Sequence, residues 1–442
     1  MIRAKHTNTS QVDSIIENYF STKQGELCIG KIPISELAHK YGTPFYVYDQ
    51  RVMEHKLDVL QKTFKTDFEI YYSIKANPNQ HILRLFIERG CGLEIASGGE
   101  LFQALKANCP ANKIIFAGPG KCDDELEYAI ENNVGEIHVE SLCEAKRISA
   151  ISHQFKKTTP IALRINPSGD AQGGAMRMGG KAAPFGIDEE VLAEVLDQVS
   201  VDPNLEVVGI HLFTGTQILD HTVLATQYRK AVAIAKRVAT QLNRPLKTID
   251  FGGGLGIPYF THENPLDLDA FSISLSEIVE EIKNDRFLAP ARLMIEPGRF
   301  LVGESGIYVS RVNQVKTSRG KQFVIVDGGM HHHLAASGNL GQTIKRNYPV
   351  SLVTKLNRTD REPVDVVGPL CTPLDVLARN VSLPHAEVGD LFAVFQSGAY
   401  GRSASPLGFL SHNSPPEVWV NHDTDKMIRQ RGKFSDLLID QG

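Results

Sequence analysis

Between residue 70 and about residue 300, short apolar runs alternate with longer stretches whose apolar positions recur every three or four residues. Eight such runs stand out: "IYYSIK" (70–75), "GLEIAS" (92–97), "IIFAG" (114–118), "EIHVE" (136–140), "IALRIN" (161–166), "VVGIHLF" (207–213), "TIDFGGG" (248–254) and "LMIEPG" (293–298). Between them lie "NQHILRLFIERG", "GGELFQALKAN", "DDELEYAIENN" and "LATQYRKAVAIAKRVATQL". A short, nearly continuous apolar run fits a strand buried on both faces, and the 3.6-residue period fits an amphipathic helix. Eight strand–helix units in succession predict a parallel (β/α)8 barrel rather than an open sheet.

After residue 305 the long helical patterns stop. Strand-like runs follow one another instead: "GIYVSRVNQVK", "QFVIVDGG", "PVDVVGP", "DLFAVFQSGAY" and "PEVWVN". That texture predicts an antiparallel β-sandwich or β-barrel domain. The early stretch "GELCIGKIPISELAHKYGTPFYVYD" is strand-rich as well. The expected organisation is therefore an N-terminal segment 1–49 that lends strands to the β domain, a (β/α)8 barrel over 50–304, and the C-terminal β domain over 305–442.

Composition narrows the partners. The 442 residues are 42% apolar, enough for large cores, and the net charge of −4 comes with no long basic run. A nucleic-acid partner is not expected, and no segment approaches the roughly 18 apolar residues of a membrane span. With no apolar core in "MIRAKHTNTSQVDSII", the expected location is the cytoplasm. Six scattered cysteines without a CxxC pair argue for free thiols rather than a disulfide framework or a zinc site.

Chemistry in such a barrel sits at the C-terminal ends of the strands. Those ends carry Lys75, Glu94, Gly118 to Lys121, Arg164 with Asn166, His211 to Gln217, Gly252 to Gly254, and Glu296 to Arg299. The glycine cluster in "DFGGGLG" suits close approach of backbone N–H groups to a phosphate, although it is no GxGxxG fingerprint because position 257 is Ile. "AGPGK" (117–121) reads as a plain turn. A lysine amine near a phosphate cup, with a carboxylate and an arginine in "EPGR", is the set of groups that holds pyridoxal 5'-phosphate. Three consecutive histidines (331–333) would point to alternate faces of a strand, so a metal is not expected there.

The motifs "YYSIKAN", "EIASGGEL", "RINP", "FGID", "GTQ", "DFGGGLG", "EPGR", "VDGGM", "GPLCTPLD" and "GAYG" occur in an order that resembles the fold-type III pyridoxal phosphate decarboxylases, the group of the diaminopimelate, ornithine and arginine enzymes. The resemblance covers nearly the whole chain. It implies that Lys75 is the Schiff-base lysine, that Glu296 partners the ring nitrogen, and that Cys371 returns a proton to the α-carbon. Gly252, Gly253, Gly254, Thr216, Tyr400 and the EPGR backbone, with Gly298 and Arg299, would hold the phosphate. Glu94 and Arg164 would lie near the ring, and either Phe213 or His211 would stack on it. Arg299, Thr372, Asp375 and Tyr400 would meet the substrate. A homodimer with shared sites is also implied.

Within that resemblance the chain departs in ways that bear on substrate. Aligned on "GTQ", Phe213 occupies the place of the usual ring-stacking histidine. Thr372 follows the cysteine where diaminopimelate enzymes carry a glutamate for the distal ammonium, and Ala335 lies about where they carry an arginine for the distal carboxylate. The altered loop "HHHLAASGNLGQTIKRNYP" and these substitutions resemble a side branch that acts on conjugated amino acids: carrier-tethered glutamyl groups, citrate-conjugated diamino acids of siderophore pathways, and substrates of enzymes encoded with exopolysaccharide sorting systems. The expected reaction is α-decarboxylation of a conjugated or carrier-bound amino acid. Diaminopimelate decarboxylation and amino-acid racemisation are the alternatives. Lys345 and Arg346 would suit an acidic substrate tail or a carrier's phosphopantetheine arm; a solvated loop is the plain alternative.

Overall fold

Every one of the eight apolar runs forms a strand in the computed structural model, which describes residues 10–169, 176–177, 181–340, 342 and 345–441. In chain order they are β1 (Phe68–Ser73), β2 (Gly92–Ile95), β3 (Ile114–Phe116), β4 (Glu136–Val139), β5 (Thr159–Asn166), β6 (Leu205–Leu212), β7 (Thr248–Asp250) and β8 (Arg292–Ile295). Each pairs in parallel with the next, and β8 pairs with β1, so the sheet closes into an eight-stranded barrel. All but β5 end before the apolar run does. β1 stops at Ser73, and Ile74–Ala76 forms one 3-10 turn that carries Lys75.

Helices cover the outside of the barrel. The longest, His221–Leu242, starts where the Asp220 carboxylate accepts the Thr222 amide at 2.8 Å and ends at Asn243 in the left-handed region. Its buried stripe includes Leu224, Tyr228, Ala231, Ala235 and Val238, the spacing of one helical face. Tyr228 stacks on Phe251 with ring centres 4.6 Å apart, and Phe271 meets Tyr228 edge-on at 5.4 Å. This aromatic packing anchors the chain directly before the glycine cluster.

The barrel unit spans Leu57–Ile257 and Pro265–Phe300. The other unit gathers residues up to Lys56, the loop Pro258–Asn264, and everything from Leu301 onward. Its centre is the long strand Gly306–Ser318, which pairs with Lys321–Val326, with Leu391–Val394 and with Phe45–Asp49. Phe45–Asp49 also pairs with Glu417–Asn421, so it lies inside the nine-stranded sheet. The unit is mostly antiparallel, with two parallel exceptions: Gln322–Ile325 beside Val364–Val367, and Phe45–Asp49 beside Glu417–Asn421. Both join strands far apart in sequence, where no hairpin imposes direction.

The three histidines lie in a turn rather than a strand. His332 Nδ1 lies 3.1 Å from the Tyr308 hydroxyl and its Nε2 lies 3.0 Å from the Asn413 carbonyl, while His333 Nε2 lies 2.9 Å from Ser397 Oγ. Burial pushes the imidazoles of His331 and His333 down to about 4 and about 3. The six cysteines are free thiols, with Cys371 exposed. Among the described residues, no helix is long and apolar enough to cross a membrane.

Candidate active site

Parallel pairing brings inward-facing residues of neighbouring strands into register near the C-terminal end of the barrel. Ser73 lies beside Glu94, and His211 lies beside both Arg164 and Asp250. The Lys75 amine donates to both oxygens of Glu94, at 2.9 and 2.7 Å, and Ser73 Oγ donates to the same carboxylate. Glu94 is 2% exposed while the Lys75 side chain is 44% exposed. The amine is therefore oriented by a buried acid yet open to approach.

Four buried groups cluster inside this end of the barrel: His138, His211, Asp250 and Glu296, with ligand atoms all within 4.8 Å of one another. The two Nδ1 atoms of His138 and His211 are 3.0 Å apart, so one donates to the other. His211 Nε2 stands 3.4 Å from Glu296 Oε2. Asp250 is raised well above the usual carboxylate range, first by burial and then by the charge of Glu296, and it accepts the Gly252 amide at 2.7 Å. Burial alone would raise Glu296 too, but His211, His138 and Lys75 more than offset it and hold it low. Of the two acids, Glu296 keeps the negative charge.

The glycine cluster follows β7. Gly252 and Gly254 have φ of +68° and +97°, a region that favours glycine, and a Cβ on Gly253 would stand 2.5 Å from the Glu296 carbonyl oxygen. The Gly253 and Gly254 amides make no hydrogen bond among the described residues. Phe213 lies against this loop, its ring carbons 3.0 and 3.9 Å from where side chains on Gly252 and Gly253 would begin. Thr216 belongs to the segment beside Gly254, since a Cβ on Gly254 would stand 2.9 Å from the Gly215 carbonyl. Gly298 fits under the lysine turn, 3.1 Å from Ala76 Cβ by the same measure, and Arg299 opens the short helix Arg299–Val302.

Arg164 is paired with a buried acid. It donates to Glu140 Oε1 at 2.6 Å, and the two oxygens of Glu140 also accept the Gly118 and Gly186 amides at 2.8 and 2.9 Å. The "AGPGK" stretch is a turn, and Lys121 is buried under it, bonded to the Gly118 and His138 carbonyls and paired with Glu144 at 2.8 Å. His211 is 1% exposed and committed to the interior cluster. Of the two aromatic candidates, Phe213 is the one that lies against the glycine loop.

The remaining expected residues lie in the β unit. Cys371 is exposed, and Thr372 is half-buried, its hydroxyl accepting the Leu374 amide at 3.3 Å. Asp375 is 2% exposed, and its carboxylate accepts the Met330 and Leu370 amides at 2.6 and 2.8 Å. It fastens the cysteine loop to the chain before the histidines, so its carboxylate is occupied by backbone. Tyr400 is half-buried with φ of +53°, and Ala335 is buried at 5% exposure. Ser73, His138, Glu140 and Asp250 were not anticipated. The signal available was polar residues two apart in "EIHVE" and an acid before the glycines in "TIDFGGG".

Pyridoxal 5'-phosphate fits these residues on a specific observation. Glu296 Oε1 is buried and has no hydrogen-bond partner, as a carboxylate awaiting a ring N–H would be. The Gly253 and Gly254 amides would supply unused donors for a phosphate, and Lys75 would supply the amine.

A parallel barrel with that set of groups at its C-terminal end defines a pyridoxal phosphate enzyme of the barrel class. The chain belongs to the pyridoxal-dependent decarboxylases: the pyridoxal binding domain of that family matches residues 50–303. It is 38% identical over 411 residues to L-glutamyl-[BtrI acyl-carrier protein] decarboxylase of Niallia circulans, covering 92% of this chain and 96% of that one. It is 32% identical over 383 residues to 2-[(L-alanin-3-ylcarbamoyl)methyl]-2-hydroxybutanedioate decarboxylase of Staphylococcus aureus, covering 85% and 93%. The solved diaminopimelate decarboxylase of M. jannaschii superposes with a TM-score of 0.89 at 27% identity, covering 96% of this chain and 98% of that one. The protein is a pyridoxal phosphate-dependent carboxy-lyase.

Proposed function

We propose that the enzyme removes the α-carboxylate of an amino acid whose far end is joined, by an amide, ester or thioester, to a carrier or to another acid. The observation that carries this reading is the neutral pair Thr372 and Ala335. The Thr372 hydroxyl is engaged by the Leu374 amide, and Ala335 presents a buried methyl group. Without a glutamate and an arginine there, a free diamino diacid loses two charge-assisted contacts worth several kcal/mol together (roughly 1.5–3 each). A conjugated substrate has neither free charge to satisfy. The relatives that act on a carrier-bound glutamyl group and on an amide-linked alanine support the same reading.

When bound, the cofactor supplies the electron sink that lets the bond to the carboxylate break. Lys75 would hold it covalently, with Glu94 orienting the amine between turnovers. Glu296 Oε1 would keep a proton on the ring nitrogen, and the upward shift of Asp250 beside the downward shift of Glu296 would leave the negative charge of the pair on Glu296. The Gly253 and Gly254 amides would bind the phosphate, and Phe213 would cover one face of the ring. Cys371 would return the proton to the α-carbon, from the partner subunit of a homodimer. Asp375 is proposed to position the Cys371 loop rather than to touch substrate.

The test is a CO2-release screen of the holoenzyme. Glutamyl thioesters and amide-conjugated diamino acids are the expected substrates. Turnover of free meso-diaminopimelate at ordinary enzyme rates, with conjugates inert, would favour the diaminopimelate reading supported by the similarity to the M. jannaschii enzyme.

A further inference from the structure

We infer that Lys345, Arg346 and His262 form an anion subsite beside the Cys371 loop, which binds a phosphate or carboxylate at the far end of the substrate. This rests on the conjugated-substrate reading above and names what that far end carries.

All three residues are exposed. The Arg346 guanidinium lies over the Phe260 ring, 5.2 Å from its centre, and its Nη1 is 2.9 Å from His262 Nε2. The His262 ring is stacked parallel to Phe260, with centres 6.0 Å apart and planes 6° apart. A guanidinium flat on an aromatic ring and tied at one edge to an imidazole is held in one orientation, with its remaining N–H groups left to donate. Among the described residues it pairs with no carboxylate, and neither does Lys345, whose amine donates to Asn339 Oδ1 at 2.5 Å. The loop's one acid, Glu263, turns back to accept the Tyr259 and Phe260 amides at 2.8 and 3.3 Å. Two cations that pair with no carboxylate among the described residues, one of them planar and pre-oriented, suit a phosphate or a carboxylate better than they suit bulk water.

A chain of contacts inside the β unit links Lys345 to the Cys371 loop. Asn339, which receives Lys345, donates to the Leu374 carbonyl at 3.3 Å, and the Leu374 amide donates to Thr372, adjacent to Cys371. Asn347, next to Arg346, exchanges two hydrogen bonds with the backbone of Arg379, which fixes the base of the segment. Gly341, Thr343 and Ile344 of this loop lie outside the described residues.

The experiment compares wild type with Lys345→Gln/Arg346→Gln and with Arg346→Lys, as holoenzymes. Three forms of substrate distinguish the sources of the anion: a phosphopantetheinyl thioester, an amide to a hydroxy dicarboxylic acid, and an uncharged alkyl amide of the same amino acid. The double variant should raise KM roughly tenfold or more for whichever anionic conjugate is the substrate, with kcat retained, and the wild-type KM should rise with salt. Arg346→Lys should restore part of that loss. The uncharged amide should show no such shift. Equal KM values for wild type and double variant on a conjugate that wild type turns over would overturn the subsite and leave the conjugate reading standing. Failure of wild type on every conjugate would overturn both.

Discussion

Glu296 is a carboxylate placed in a buried interior with one oxygen unsatisfied, a cost that the proposed contact with the cofactor would relieve. Glu296→Gln should leave the fold intact but lower kcat at least about a hundredfold, because an amide cannot keep the ring nitrogen protonated. Lys75→Ala should abolish CO2 release together with the visible absorbance of the lysine-bound cofactor. Glu100 offers a test in pH. Its carboxyl is pushed up to about 7 by burial and by the charge of Glu94, while it accepts the Ala96 amide at 2.7 Å. A carboxyl raised in the folded state binds more protons there than in the unfolded chain. Its contribution is therefore full below about pH 4.5 and is lost as pH climbs through about 7. Glu100→Gln should flatten this decline, worth up to about 3 kcal/mol. Denaturant midpoints of apoenzyme at pH 5 to 8 would measure it, and parallel curves for both proteins would reject it.

Which residues reach the site is decided at the level of elements, and that is also where the sequence ran out. The eight strands were legible because both faces are buried, which leaves unbroken apolar runs. Their ends were not. "IYYSIK" reads as one strand through Lys75, yet the chain leaves the sheet after Ser73 because the next three residues coil tightly. Alignment on "GTQ" put Phe213 at the ring-stacking position but could not show why the two differ: His211 is still in β6 and buried, and Phe213 is just beyond the strand's end. His138 and Asp250 were hidden for another reason: isolated polar residues inside apolar runs carry no mark of the partners that satisfy them. Two elements invite direct tests. Gly253→Ala would press a methyl group against the Glu296 carbonyl, and cofactor affinity measured by absorbance titration should fall at least tenfold. Asp375→Ala removes two hydrogen bonds that fasten the cysteine loop, at a cost of roughly 1–3 kcal/mol. Site-mapped thiol labelling should then find Cys371 modified faster.

For the whole molecule, the proposed crossing of Cys371 into the partner's site makes a quantitative expectation. Chains bearing Lys75→Ala and chains bearing Cys371→Ala, each inactive, should recover about a quarter of the sites when coexpressed, because half of random dimers are mixed and each holds one complete site. No recovery would mean that each chain supplies its own cysteine.

Phe45–Asp49 sits inside the sheet of the β unit, between a strand that begins at Gly306 and another that begins at Glu417. During synthesis this apolar strand leaves the ribosome hundreds of residues before either neighbour exists. At roughly 5–20 residues per second it waits tens of seconds with its edges unpaired. The barrel can close in the meantime from contiguous units, so the order of assembly is written into the chain: barrel first, β unit last. Any site that needs Cys371 or Tyr400 therefore comes into being only after the final strand has been released.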